Sequence, residues 1–379
     1  VIYLNNAATS YPKPATVAHA MLACLESVPE SLGRAVSEQA DVTVVVACRK
    51  NLATLLGASD PNRIVFTGGA TEALNLALRG LRLHGAHVIT TAIEHNSVLR
   101  PLKNMERDGE IELTIVDCDG NGAVPPEGIE KSFRANTRLV VVNHASNVTG
   151  EILDVAAMAA IAHAHAAMIL VDASQSAGCL PIDVAGWQLD LLAFTGHKSM
   201  LGPRGIGGLY IREGIDLAPL KVGGTGTHSG TLYQPDELPT RYEAGTLNVP
   251  GIAGLNAGVE FVLSSGIEAI GQLKQSRTQR MLDGLAEMPK VRLYGRRGGS
   301  GRLPVFCFNV QGLSPADVGY ILENSFGIVA RTGLHCAPLI HKAIGTWPEG
   351  TVRVSPSSFT TEGDVDGFLG AMNDICAAA

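Results

Sequence analysis

Between about residue 60 and residue 211 the chain alternates short β-branched runs with stretches whose apolar positions recur at helical spacing. Arg63-Ile64-Val65-Phe66, His87 to Thr90, Glu112 to Val116, Leu139 to Val142 and Met168 to Val171 read as strands, followed by Leu191 to Phe194 and Ile206 to Ile211. Thr71 to Leu81 reads as a helix, with Leu74, Ala77, Leu78 and Leu81 on one face. The strand runs are continuously apolar rather than alternating, which predicts a mostly parallel sheet covered on both faces. In such a sheet the functional residues belong in loops at the carboxyl ends of the strands.

Beyond that region the pattern changes. Lys221 to Asn248 is loop-like and rich in Gly, Thr and Pro. A helix-like block from about Ile252 to Leu285 follows, then a second strand and helix set including Pro304 to Val310 and Pro315 to Asn324. This predicts a smaller C-terminal α/β domain joined by one long helix.

Composition narrows the class. Of 379 residues, 46% are hydrophobic and 17% charged, below the usual charged share of about 25%. That balance argues for an extensive interior or a hidden subunit contact, and against disorder. A net charge of −7 leaves no basic footprint for nucleic acid and no polybasic membrane patch. The longest apolar stretch, Val155 to Val171, is interrupted by His163 and His165 and bounded by Asp154 and Asp172. It falls short of the roughly 20 apolar residues of a membrane span. The first residues lack a signal-peptide pattern, so the expected compartment is the cytoplasm. Seven scattered cysteines with no C-x-x-C pair argue against a disulfide framework or a zinc ribbon, and no metal is expected.

Three segments carry candidate chemistry. Phe66-Thr67-Gly68-Gly69-Ala70-Thr71-Glu72 runs from a strand through small residues into a helix. Such a turn aims backbone N–H groups and a hydroxyl at an anion, although an ordinary glycine-rich turn has the same appearance. Asp172 ends a buried strand, where a carboxylate needs a cation or strong donors, a protonated pyridine nitrogen or a helix start among them. Lys198 in Thr195-Gly196-His197-Lys198 follows another buried strand, and a partly dry pocket there would lower its pKa and suit imine formation. Thr195 and His197 could reach a phosphate. A surface lysine is the alternative for Lys198 alone, but cradle, acid and lysine occur in order in one sheet.

These segments, with Tyr3 to Thr9, Glu94-His95-Asn96, His144 to Gly150, Glu243-Ala244-Gly245-Thr246, Arg331 to Ala337 and Val352-Arg353, resemble the fold-type I pyridoxal-phosphate enzymes. The match is with the class V aminotransferase group that holds cysteine desulfurases and selenocysteine lyases, and it runs nearly end to end. The resemblance implies an α/β transferase with a mostly parallel seven-stranded sheet. Residues 15–250 would form the large cofactor-binding domain, and 1–14 with 251–379 the small one.

It also implies roles. Lys198 would hold pyridoxal 5'-phosphate and shuttle protons, Asp172 would face the pyridine nitrogen, and Gln175 the phenolic oxygen. His95 would stack on the ring and move a proton. Ala70, Thr71, Thr195 and His197 would bind the phosphate, with Thr246 reaching that of the neighbouring subunit in a homodimer. Asn147 would lie near both ring and substrate, and Asn6, Ala7, Arg331 and Arg353 would meet the substrate, Arg353 by its α-carboxylate. Cys336, in the short Arg-Thr-Gly-x-His-Cys loop of group II desulfurases, would take sulfur from L-cysteine as a persulfide, leaving L-alanine, and pass it to an acceptor protein or thiol. His335 and an arginine close by are expected to favour its thiolate.

Asn5 stands where many relatives carry Asp, and Leu334 and Pro338 make the thiol loop less polar than in some group II members. Selenocysteine lyase, cystine C–S lyase and other amino-acid chemistry on this scaffold stay open. A non-catalytic sulfur carrier is opposed by Lys198, Asp172, His95 and Arg353 occurring together. A nicotinamide dehydrogenase lacks its glycine fingerprint.

Overall fold

The apolar runs of the first part of the chain become strands of one sheet. A computed structural model describes residues 1–27, 43–298 and 301–379, and every element and count below refers to those residues. The chain opens with β1 (Ile2–Tyr3), α1 (Ala15–Glu26) and α2 (Val44–Leu56). The sheet region holds β2 (Ile64–Thr67), α3 (Ala70–Gly80), β3 (Ala86–Thr91), α4 (Asn96–Arg107) and β4 (Ile111–Val116). It continues through α5 (Pro126–Glu130), β5 (Thr137–Asn143), α6 (Val155–Ala164), β6 (Met168–Asp172), β7 (Leu191–Thr195) and β8 (Gly207–Ile211). After a long connection come α7 (Val249–Ser265), α8 (Ile267–Ala286), β9 (Val291–Tyr294), β10 (Phe306–Val310) and α9 (Pro315–Phe326). The last elements are β11 (Ile328–Val329), β12 (Arg331–Gly333), α10 (Pro338–Ala343), β13 (Thr351–Val354) and α11 (Glu362–Ala378).

The large sheet has seven strands in the order β2-β8-β7-β6-β5-β3-β4. All run parallel except β8, which is antiparallel to both β2 and β7. Alternate residues feed two cores. Val65, Val88, Leu139, Val141, Leu170 and Leu209 pack with α3 and α4 on one face. Ile64, Phe66, Val140, Val142, Ile169 and Phe194 pack with α2, α6 and α7 on the other. Burial on both faces is why these runs showed no polar alternation.

The predicted single helix over 252–285 is two helices. The break is Gly266 at φ +80°, a left-handed conformation that glycine takes without steric cost. Another glycine lets α7 approach the lysine loop: a Cβ on Gly258 would stand 2.4 Å from the Met200 carbonyl.

In the C-terminal part, β12-β13-β10-β9 form an antiparallel sheet. It packs with α8, α9 and α11 around Phe306, Phe308 and Phe368. The N-terminal β1 pairs in parallel with β11, and Leu4 enters this core. Among the described residues, no helix is long and apolar enough to cross a membrane.

Candidate active site

The sheet sets the site. Asn143, Asp172 and Ala193 lie side by side near the ends of β5, β6 and β7, so the following loops converge on one cavity of about 770 Å³. Asp172 and Lys198 both line it. The buried carboxylate of Asp172 accepts from the Ser174 backbone N–H at 2.9 Å and from its hydroxyl. The Lys198 side chain is half-buried and borders the cavity, and its pKa is lowered to about 8. Burial is the main cause; Arg353 and Arg331 lower it further, and Asp172 opposes them.

A cradle lies at the start of α3. Gly69 has φ +145°, and the helix begins at the next residue, where the first N–H groups have no partner within the helix. A Cβ on Gly207 would stand 2.8 Å from the Gly69 Cα, so β8 reaches this turn only as glycine. The hydroxyls of Thr71 and Thr195 and the ring of His197 border the same space. The His197 Nδ1 is buried without a hydrogen-bond partner. Its pKa is lowered to about 4, first by burial and then by Lys198, Lys13 and Arg204. His197 is therefore neutral near pH 7. Arg204, which the sequence did not mark, brings a cation to the rim. Helix N–H groups, hydroxyls, an unpartnered imidazole nitrogen, an amine and a facing carboxylate fit pyridoxal phosphate.

His95 is the N-cap of α4. Its Nδ1 accepts the Ser97 backbone N–H at 3.0 Å, which leaves the ring hydrogen on Nε2. The Ser97 hydroxyl lies 2.9 Å from that Nδ1 and 2.8 Å from the Thr71 hydroxyl, linking ring histidine to cradle. Burial lowers the His95 pKa to about 4. Beside it, Glu94 accepts from the Thr91 hydroxyl at 2.6 Å and the Asn143 N–H at 2.9 Å. Burial raises its pKa to about 8, so it joins the ends of β3 and β5 as a mostly neutral acid. In the sequence it stood only as the first residue of the Glu94-His95-Asn96 segment, with no role attached.

The substrate end is built across the two sheets. Arg353 is fully buried on β13 and pairs in register with Arg331 on β12. It donates to the Asn147 carbonyl at 2.9 Å and to the Asn5 side-chain oxygen at 3.2 Å. Burial, followed by Arg331, lowers its pKa to about 9. The Asn5 contact gives that position a meaning: an amide, not a second carboxylate, faces the guanidinium. Asn147 lines the cavity, but its amide donates to the His335 carbonyl at 2.7 Å. Gln175 also lines it and donates to the Ala7 carbonyl at 3.0 Å.

Cys336 is absent from the cavity lining and meets it through Arg331, whose Nη2 lies 3.3 Å from Sγ. The expected help from His335 is corrected: its buried ring turns to Thr351, with Nε2 3.1 Å from that carbonyl, and its pKa is well below the ordinary value. A neutral ring cannot stabilise a thiolate by charge. Pro338 occupies the start of α10, directly after the turn, where its missing N–H costs nothing.

Besides Cys336, two expected residues stand apart from the main cavity. Asn6 uses its amide on the Ser355 carbonyl at 3.0 Å and the Tyr11 N–H at 3.0 Å, and borders a small neighbouring cavity with Ala7, Gln175 and Lys198. Thr246 is exposed. The nearby Glu243, a residue of the same motif, is buried against Arg49 and accepts from the Phe66 N–H at 2.6 Å, which fastens this segment to β2.

A lysine and an acid at neighbouring strand ends, a helix-start cradle and a second sheet bearing two arginines define a fold-type I enzyme. Residues 2–368 match the family described as aminotransferase class-V, and the chain belongs to it. It is 34% identical to a probable cysteine desulfurase of Methanothermobacter thermautotrophicus, over 96% of this chain and 92% of that one. It is also 34% identical to a probable cysteine desulfurase of Pyrococcus abyssi, over 99% and 94%. The fold matches the apo structure of a cysteine desulfurase from Thermococcus onnurineus with a TM-score of 0.92 and 35% identity, covering 100% of this chain and 95% of the other.

Proposed function

We propose that the protein is a pyridoxal-phosphate-dependent cysteine desulfurase that converts L-cysteine to L-alanine and takes the sulfur onto Cys336. The observation that carries this reading is the pairing of Arg331 with Arg353, because it sets a carboxylate anchor on one strand beside a guanidinium on the next, and that guanidinium lies 3.3 Å from the thiol of the following turn. Cysteine desulfurases of similar sequence and fold support it.

Lys198, Asp172, Thr71, Thr195 and His197 would hold the cofactor, which when bound supplies an electron-poor ring that eases bond breaking at the substrate Cα. The chain's own groups do the rest. Arg353 grips the α-carboxylate through parallel charge-assisted hydrogen bonds. The Lys198 amine, with a pKa near 8, takes and returns the Cα proton at neutral pH. His95, a neutral imidazole lining the same cavity, would lie against the ring. The Cys336 sulfur, beside Arg331, attacks the substrate sulfur as a thiolate; the S–S bond forms as the substrate C–S bond breaks, and the C–S electron pair stays with the substrate Cβ, which takes up a proton to become the methyl of alanine.

The two-domain division, 15–250 against 1–14 with 251–379, belongs to the same reading, as does a homodimer. Thr246 is exposed on the same long connection as the solvent-facing Leu220, Val222, Leu232 and Tyr233, which suits burial by a second copy. A sulfur acceptor would approach Cys336. Incubation with L-cysteine tests the chemistry: alanine with protein-bound persulfide is expected, whereas pyruvate with ammonia would indicate β-elimination and overturn it.

A further inference from the structure

The thiol sits on a turn that should be unstable by itself. Leu334-His335-Cys336-Ala337 closes through the Ala337 N–H and the Leu334 carbonyl at 2.9 Å. His335 has φ +49° and Cys336 φ +60°. Two successive left-handed residues belong to turns that prefer Asn and Gly. Strain of this kind persists only where surrounding contacts hold it.

The contacts form a closed ring. Nε2 of His335 lies 3.1 Å from both the Thr351 carbonyl and the Thr351 hydroxyl, and a hydrogen on Nε2 is the arrangement that satisfies the carbonyl, which only accepts. The His335 carbonyl accepts from Asn147 at 2.7 Å, and the Asn147 carbonyl accepts from Arg353 at 2.9 Å. Arg353 lies two residues beyond Thr351 on β13. The circuit therefore returns to the strand it left. The imidazole adds a side-chain link between the thiol turn and β13, beyond the backbone pairing of β12 with β13 that ends at Gly333.

We propose that His335 is a positioning residue that sets the span between the Arg353 guanidinium and the Cys336 sulfur. This rests on the desulfurase reading. The ring works as a neutral peg: it is 2% exposed and does not line the cavity. Its hydrogen bond holds the strained turn so that Sγ stays beside Arg331, within reach of a substrate whose carboxylate is already anchored. Without the peg the turn relaxes, the sulfur leaves the guanidinium, and sulfur transfer slows while substrate capture continues.

The test uses the holoenzyme with His335→Leu and His335→Gln. The readouts are the spectral change on adding L-cysteine, KM, kcat for alanine, and the rate of Cys336 alkylation by iodoacetamide in the resting enzyme. For His335→Leu, capture and KM stay within about twofold. Alanine formation and alkylation fall about tenfold, the size of one ordinary hydrogen bond lost. His335→Gln, whose amide reaches as far as Nε2, recovers most of both. A leucine variant with wild-type kcat and alkylation overturns the proposal. So does a uniform loss of cofactor, capture and turnover, which marks a structural role alone. Should the leucine variant fail to fold, His335→Asn replaces it: Asn is too short to reach Thr351, and rates equal to those of Gln overturn the proposal. Wild-type protein that forms neither alanine nor persulfide would sink the desulfurase reading instead, and the alkylation contrast would still judge His335.

Discussion

The backbone N–H of Asn96 donates to the carbonyl of Cys336 at 2.7 Å. Asn96 is the first residue of α4, and its predecessor His95 is the helix N-cap. The histidine proposed to cover the ring and the cysteine proposed to take sulfur are thus joined through one backbone hydrogen bond.

Proline at position 96 isolates that bond. It is tolerated at the first helical position, and His95 already has φ −71° and ψ 154°, the extended geometry a residue before proline adopts. Asn96→Pro should fold and keep its cofactor, while sulfur transfer falls by about tenfold, as expected for roughly 1–2 kcal/mol from a carbonyl left unpaired. Asn96→Ala, which keeps the N–H, should stay near wild type. Single-turnover persulfide formation checks both.

The Lys198 amine reacts only when neutral. With its pKa near 8, pyridoxal phosphate should join the apoprotein at a rate that rises with pH and is half-maximal near 8, not in the range of a free lysine at about 10.4. Because the Asp172 carboxylate raises that pKa, Asp172→Asn should move the midpoint lower. Stopped-flow absorbance against pH measures both. Lys198→Ala should lose proton transfer, reducing turnover at least 10²-fold, roughly the lower end of what such a group contributes.

Arg353 is expected to act in substrate binding. Arg353→Lys keeps the charge but loses the planar pair of donors. KM for L-cysteine should rise about 10- to 100-fold, the equivalent of roughly 1.5–3 kcal/mol for a hydrogen bond to a charged group. Steady-state kinetics check this, and a KM unchanged from wild type would remove Arg353 from the carboxylate site.

Acid should unfold the protein early. Burial lowers His95, His144, His197 and His341 to about 4, against about 6.5 in the unfolded chain. Between these values the unfolded state binds more protons at the four histidines, so their contribution to stability is lost as pH falls from about 6.5 towards 4, while Glu94, with its pKa raised to about 8, offsets part of one of them. Tm recorded across that range should drop steeply, and a flat profile would contradict the buried, neutral assignment.

Much of the site was legible because strand ends are legible. An Asp closing an apolar run and a lysine just past another mark positions at the carboxyl edge of a parallel sheet, whatever the strand order. The register of β12 against β13 was not legible: nothing in Arg331-Thr332-Gly333 or Thr351-Val352-Arg353 says that the two arginines pair. Ring direction was equally hidden. His335 adjoins Cys336 in the chain, yet its imidazole faces Thr351, because a buried ring goes where a partner is. Gly266 was visible as a glycine, but only its φ of +80° shows that it divides two helices.

By itself, then, the sequence determined which residue types stand at strand ends and helix starts, since those depend on local periodicity and backbone chemistry. Tertiary structure alone decided which of them meet. Asn5, Asn147, Arg353 and His335 come from segments far apart in the chain. They are brought together where the segments after β1 and β5 meet the C-terminal sheet, and the hydrogen bonds that orient them satisfy groups that burial has cut off from water.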